Sequence, residues 1–192
     1  DSLKEYTQII INEADRLQNS MNRMLTPHQM PIYKKTNIHE ILERVRSLVL
    51  SEFSSDINFI RDYDVSLPEF IVDREKLIQA ILNIARNGAQ AMKQNNQDDM
   101  KLLFVTRAER QIVFRKKKHA TAIRIDIVDN GPGIKNELID KIFFPLVTGN
   151  DKGSGLGLSL AQNLISLHQG MIDCHSVPGR TIFSVVLPIE NN

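Results

Sequence analysis

The stretch GNDKGSGLGLSLAQ, residues 149–162, decides how the chain is read. Of nine glycines in the whole sequence, Gly149, Gly153, Gly155 and Gly157 crowd into this one segment. The last of them opens an apolar run whose spacing predicts a helix closed by Gly170. The first N–H groups of a helix have no partner within it and carry partial positive charge, so a glycine-rich approach to a helix start suits a bound anion. Lys152 adds a formal charge and Ser154 a hydroxyl. The pattern is neither G-x-x-x-x-G-K-[ST] nor a dinucleotide fingerprint, because no strand runs directly into it. A flexible loop ahead of a helix is the plainer alternative, and the stretch alone does not choose between them.

Two more glycines, Gly131 and Gly133, lie upstream in IRIDIVDNGPGI, where alternating β-formers end in Asp129 and run into a turn. A carboxylate at a strand end can accept a hydrogen bond from an exocyclic amine, and glycines let another molecule approach the backbone. Asp-x-Gly-x-Gly by itself is also an ordinary turn. Further upstream, LIQAILNIARNGAQAM is a helix in which Asn83 and Asn87 are four apart and share a face. Satisfied core amides are the plain reading of that pair. Gly88 weakens the same helix by about 1 kcal/mol against alanine, which points to a close approach there.

The rest of the chain divides at TPHQMP, residues 26–31, where two prolines break the pattern. Before the break, Leu3, Ile10, Leu17 and Met24 repeat every seven residues, with Ala14 and Met21 alongside, the seam of a helix that pairs with other helices. After it, IYKKTNI predicts a short strand. NIHEILERVRSLVLSEF predicts an amphipathic helix capped by Asn37. INFIRDYD and EFIVD read as strands around a Ser-Leu-Pro turn, and Asp73 caps the asparagine helix. KLLFVTRA, QIVFRKK and TAIRIDIVD read as three consecutive antiparallel strands, and MIDCHSV with TIFSVVLPI as a closing hairpin. Helices and strands mix without strict alternation, so the expected fold is an α+β layer sandwich.

Bulk composition narrows the function without naming it. Apolar residues make up 42% and charged residues 24% of 192, an ordinary globular balance. A net charge of +1 gives no global field directed at nucleic acid or an anionic membrane, and neither is an expected partner. No apolar run reaches the length of a membrane span. Cys174 has no second cysteine to pair with, so a structural thiol in a reducing cytoplasm is expected. The first residue is Asp, and the expectation is a piece of a longer protein.

The three motifs in this order and spacing resemble the ATP-binding domain of sensor histidine kinases, within the wider gyrase, Hsp90, histidine kinase and MutL superfamily. Residues 32–192 would be that domain, a two-layer Bergerat-type sandwich with a mixed sheet packed on helices. Residues 1–26 would be the second helix of a truncated dimerisation and phosphoacceptor domain, and 27–31 the linker. The resemblance implies that Asn87 holds Mg²⁺ between the phosphates of ATP with Asn83 beside it, and that Asp129 binds the adenine amine in a pocket shaped by Gly131 and Gly133. It implies a lid over residues 145–153, preceded by Phe143 and Phe144 of IFFPLVTG. Lys152, Gly153, Ser154, Gly155, Leu156 and Gly157 would serve the phosphates, and Thr181 joins the nucleotide-binding set. Relatives that hydrolyse ATP carry a glutamate where Asn83 stands, so this site suits a nucleophile that needs little activation, such as a neutral imidazole.

The long hairpin around RAERQIVFRKKKHATAIRIDIVDNGPGI, with FFPLVTG and SVPGRTIFSVVLP, narrows the resemblance to nitrogen-regulation sensor kinases of the NtrB type. That type implies a homodimer, an NtrC-type response regulator that receives the phosphoryl group on an aspartate, and control by the PII signal protein. The basic run 115–119 would be a solvated turn or a docking point for an acidic partner. His39, in IHEIL, lacks the basic residue and proline that follow a phosphoacceptor histidine, so the acceptor is expected to be absent. Asn150 stands where Lys or Arg is usual, and Gly88 where alanine is. A nucleotide-binding interaction module without catalysis is the alternative from another class.

Overall fold

The computed structural model describes residues 30–53, 57–114, 117–148 and 155–189, the side chains of 113, 114 and 117–119 apart. The expected helix over 1–25, residues 115 and 116 and the side chains of 117–119 in the basic run, residues 149–153 of the expected lid, with Lys152 and Gly153 among them, and Ser154 after it lie outside the described residues. The chain divides at Pro31/Ile32 into two units, and every described helix and strand belongs to the second, 32–192.

Its elements run β1 (Tyr33–Thr36), α1 (Ile38–Phe53), β2 (Ile57–Asp62), β3 (Phe70–Asp73), α2 (Arg74–Gln94), β4 (Met100–Phe114), β5 (Lys117–Asp129), α3 (Asn136–Ile139), α4 (Gly157–Leu167), β6 (Met171–Val177) and β7 (Arg180–Pro188). Five strands form one sheet in the order β2-β4-β5-β7-β6, parallel only at β2/β4; β1 and β3 pair antiparallel as a separate ribbon. Period-two alternation sends Leu102, Phe104, Ile123, Ile125, Ile127, Phe183, Val185 and Leu187 to one face, all buried. The helices answer with matching stripes: Ile41, Leu42, Val45 and Val49 on α1, and Leu77, Ile81, Ile84, Ala85 and Met92 on α2. Sheet and helices share one core, the expected α+β two-layer sandwich with a mixed sheet.

Local chemistry starts each long helix. Asn37 Oδ1 accepts the His39 N–H at 2.9 Å. Asp73 does two tasks: Oδ1 accepts the Lys76 N–H at 3.0 Å, and Oδ2 accepts the Ile32 N–H at 2.9 Å, tying the start of the domain to the start of α2. The Asp73 N–H donates in turn to His168 Nε2 at 3.1 Å, while His168 Nδ1 donates to the Leu164 carbonyl at 2.8 Å. A buried imidazole thus ties the end of α4 to the cap of α2.

Three details differ from the sequence reading. KLLFVTRA (101–108) and residues 111–114 of QIVFRKK lie in one strand, β4, whose pairing with β5 runs from Leu102↔Asp129 to Phe114↔Lys117. Gln111 takes φ 52° within it without breaking the register. The strands flanking Ser-Leu-Pro belong to different sheets, because β2 finds β4 and β3 finds β1. At the end of α4 it is Gln169, φ 56°, that takes the left-handed conformation, not Gly170. Gly170 is required for a different reason: a Cβ there would lie 2.7 Å from Leu187 Cδ2 and 2.8 Å from the Val186 carbonyl oxygen. Gly170→Ala is therefore expected to lower unfolding free energy by about 1–3 kcal/mol. Urea denaturation reads this out, and an unchanged midpoint would show that β7 yields there freely.

Candidate functional site

The described part of the site is built on the end of β5. Asp129 is the last residue of that strand, with Leu102 of β4 on one side and Thr181 of β7 on the other. It is 5% exposed. Its Oδ1 accepts the Gly131 N–H at 2.9 Å, and Oδ2 has no hydrogen-bond partner among the described residues. Burial pushes the carboxyl up to about 6, against the opposing pull of the Gly131 N–H.

The turn after Asp129 is fastened on both sides. Asn130 Oδ1 accepts the Lys101 N–H at 2.8 Å, and its amide donates to the Asp99 carbonyl at 2.8 Å, fixing the turn to the start of β4. On the other side, the Gly179 N–H donates to the Gly131 carbonyl at 2.9 Å, and the Ile134 N–H donates to Ser176 Oγ at 2.9 Å. Ser176 Oγ lies 2.8 Å from Thr181 Oγ1, so Thr181 reaches the turn through Ser176. Gly133 takes φ +84° and touches the Val177–Pro178 backbone, where a Cβ would sit 3.0 Å from it. Glycine is needed there on both counts.

Helix α2 closes over the same place. A Cβ on Gly88 would lie 2.9 Å from Asp129 Oδ2, and a Cβ on Gly131 would lie 2.8 Å from Asp129 Oδ1 and 3.3 Å from Met92 Cγ. The carboxylate is thus flanked by two residues without side chains. Asn87 precedes Gly88 directly and Asn83 lies one turn earlier, both half-buried. Asn83 Nδ2 is buried with no hydrogen-bond partner among the described residues. An amide donor in that state costs free energy unless a ligand supplies an acceptor.

Of the expected lid, 145–153, only residues 145–148 are described. The Leu146 N–H donates to the Gly155 carbonyl at 3.0 Å, Gly155 takes φ +65°, and a Cβ on it would meet the Leu146 backbone at 2.6 Å. Leu146 and Gly155 thus lie backbone against backbone. Leu156 caps α4 with no side-chain hydrogen bond, and the Cβ position of Gly157 faces open space. Helix α4 packs along α2, so both helices border the site. Phe143 packs edge-on to Phe183, with ring centroids 6.3 Å apart, whereas Phe144 is 60% exposed.

A metal finds few ready ligands. Among the described residues no group of three or more His, Cys, Asp and Glu side chains is placed to hold one. The Asn87 amide oxygen with ligand oxygens and water fits Mg²⁺, which keeps much of its hydration and takes one or two protein ligands. His39 and His168 are engaged in the fold. His39 stacks on Tyr63 at 4.6 Å and lies 3.0 Å from Thr106 Oγ1, and its pKa is lowered chiefly by burial. Sequence reasoning missed Ser176 and Asn130, whose partners lie 42 and 29 residues away and leave no local signal.

Residues 72–191 match the family described as histidine kinase-, DNA gyrase B- and HSP90-like ATPase. The sensory histidine kinase/phosphatase NtrB of Vibrio alginolyticus is 46% identical over 188 residues, covering 98% of this chain and 53% of its own length. The chain spans about half the length of the curated relatives it matches. Among solved structures, the mycobacterial sensor histidine kinase MprB superposes with a TM-score of 0.67 at 23% identity, over 84% of this chain and 100% of that one. The histidine kinase ThkA in complex with the response regulator protein TrrA gives 0.70 at 23% identity, over 99% of this chain and 52% of that one. With its buried strand-end carboxylate, its asparagine helix and its glycine-led helix in the family's order, the chain belongs to the histidine kinase-, DNA gyrase B- and HSP90-like ATPase family, and its sequence is close to the NtrB sensor kinases.

Proposed function

We propose that residues 32–192 are the Mg-ATP-binding catalytic domain of a sensor histidine kinase of the NtrB type, with 1–26 the second helix of its dimerisation domain and 27–31 the linker. The observation that carries this is the Asp129 carboxylate: buried, flanked by Gly88 and Gly131, one oxygen held by its own turn and the other open. A single open acceptor suits a single donor such as the exocyclic amine of adenine. Gly131, Gly133 and Thr181 shape that pocket, and the Asn87 amide oxygen holds Mg²⁺ with Asn83 beside it. The phosphates fall to the N–H groups of Gly155, Leu156 and Gly157, and to Lys152, Gly153 and Ser154 before them in the sequence. Mg-ATP supplies the phosphoryl group that is transferred. The protein's task in such a transfer is to position groups and to neutralise charge. Asn83 neither takes nor gives a proton, so the site activates no water and favours an imidazole acceptor.

That acceptor is neither His39 nor His168, both of which are engaged in the fold. It belongs to the dimerisation domain of the full protein, a homodimer in the cytoplasm. From it the phosphoryl group passes to an aspartate of an NtrC-type response regulator, under control of the PII signal protein. The likeness to NtrB relatives and to a kinase solved with its response regulator supports this reading. No helix among the described residues is long and apolar enough to cross a membrane.

Incubated with labelled Mg-ATP and a separate fragment carrying the phosphoacceptor helices, the chain is expected to label that fragment with acid-labile phosphate. Asn87→Ala is expected to cut the transfer by at least about a hundredfold; undiminished labelling would remove Asn87 from the role. A second expectation follows from the raised carboxyl of Asp129. Because the folded value lies above the unfolded one, the fold holds more protons than the unfolded chain between about pH 4 and 6. Stability then falls as pH rises through that window, and the loss is complete above it. Asp129→Asn should therefore stabilise the nucleotide-free protein at pH 7.5 by about 1–3 kcal/mol and by nothing at pH 4. It should also weaken adenine nucleotide binding. Chemical denaturation at the two pH values, with calorimetric titration of ADP, tests both halves; equal gains at both pH values would refute the linkage.

A further inference from the structure

We propose that the edge strand β6 is an interface with a second copy of this chain, residues 171–177 pairing antiparallel with the same residues of the other copy about a twofold axis beside Cys174. The proposal goes beyond the nucleotide-binding reading of the site and does not depend on it.

The five-stranded sheet ends in β6, whose one neighbour is β7. Backbone groups along a strand point alternately to its two sides, so each residue of β7 bonds either to β5 or to β6. Just past the end of β7, the Ile189 N–H donates to the Thr121 carbonyl of β5 at 3.0 Å. The odd-numbered residues of β7 therefore bond to β5 and the even-numbered ones to β6. Their register partners on β6 are Met171, Asp173, His175 and Val177. The closure Val177↔Arg180 around Pro178 and Gly179 sets the same phase. The N–H and C=O groups of Ile172, Cys174 and Ser176 thus point off the edge of the sheet, with no backbone partner among the described residues.

Proteins guard such an edge with lysine, proline, a bulge or a covering element. The strand MIDCHSV contains neither lysine nor proline, and its pairing with β7 runs unbroken from Met171↔Val186 to Val177↔Arg180. It leaves Met171 42% and Val177 46% exposed, with Asp173 and His175 exposed between them.

The backbone admits a second β6 only where open residues face open residues. The antiparallel registers with the greatest overlap centre on Asp173, on Cys174 or on His175. Centring on Asp173 sets its carboxylate against its own copy, and centring on His175 does the same with the imidazole. Centring on Cys174 pairs the whole strand. Asp173 then faces His175 of the second copy, and Met171 faces Val177 of the second copy, each contact occurring again by symmetry. These pairs fall at non-hydrogen-bonded positions, where opposed side chains lie closest. An apolar pair closes each end and a carboxylate–imidazole pair lies inside it. The strand is its own complement when read backwards, so the occupant it fits is a second copy rather than an unrelated extended peptide.

The test follows amide exchange of the 192-residue chain by NMR, together with sedimentation equilibrium, from about 10 µM to about 1 mM, a range suited to a small interface. Protection of the Ile172, Cys174 and Ser176 amides is expected to rise by about threefold or more with concentration, while the Asp173 and His175 amides, already bonded to β7, stay as they are. Asp173→Lys and His175→Asp should each weaken association by about tenfold. The double variant should recover it, because each new lysine again faces a carboxylate. A chain still monomeric at the highest concentration overturns the proposal. So does a dimer held by residues 1–26 alone, which leaves the edge amides of β6 unprotected. Single variants that associate like the wild type, or a double variant no better than the single ones, overturn it too. Should a variant fail to fold, the wild-type edge amides decide alone.

Discussion

The constraint on which the site depends is the placing of one carboxylate, Asp129, at the end of a central strand and under a helix. A carboxylate in such a position is poorly solvated, and its chemistry shows it: the charged form is held back until about pH 6. Protein groups that could neutralise it are missing among the described residues, where its single hydrogen bond comes from the next turn. A fold selected only for stability would place an apolar residue there, as it does at Ile127 one inward position earlier. The Oδ2 of Asp129, open among the described residues, together with the buried Asn83 amide nitrogen that has no partner among them, is the mark of a site that a ligand completes.

Holding a poorly solvated polar group in one orientation requires stiffness around it. Strand β5 provides it from within the sheet, and the following turn is fastened to the start of β4 by Asn130 and to the β6–β7 hairpin through Ser176 and Gly179. Helix α2 is fixed from its far end. Asp73 caps it and holds the Ile32 N–H, and His168 ties that cap to the end of α4. Both helices that border the site are thus tied together at the end away from Asn87. Much of the core lies between the two ends of α2, so its position over Asp129 is set by packing and not by any contact with a ligand.

Much of this was legible in the sequence wherever the controlling interaction is short in chain distance. The caps at Asn37 and Asp73 act on amides two and three residues away, and both helices start where those residues predict. Alternation along TAIRIDIVD and TIFSVVLP places the buried rows correctly. Reading failed where the chain must choose among distant partners. KLLFVTRA and the start of QIVFRKK look like separate strands, yet they form one because β5 pairs with both in a single register. The strands flanking Ser-Leu-Pro look like neighbours, yet each pairs with a strand elsewhere in the chain. Gly170 looks like a helix stop, yet the left-handed residue is Gln169, and the glycine is needed by Leu187 and Val186 of a strand later in the chain.

The sequence by itself determined the periodicities, the caps, the glycine clusters and the order of the three motifs, which together identify the family. These are properties of short windows, governed by backbone conformation and by side chains within a turn of one another. Tertiary structure alone decided that Gly88 faces Asp129, that Ser176 joins Thr181 to the turn, and that α2 and α4 are locked through His168. Each of those contacts pairs residues whose separation along the chain carries no period and no local energetic signature. They come into being only when the sheet has ordered its strands and the helices have settled on its buried face.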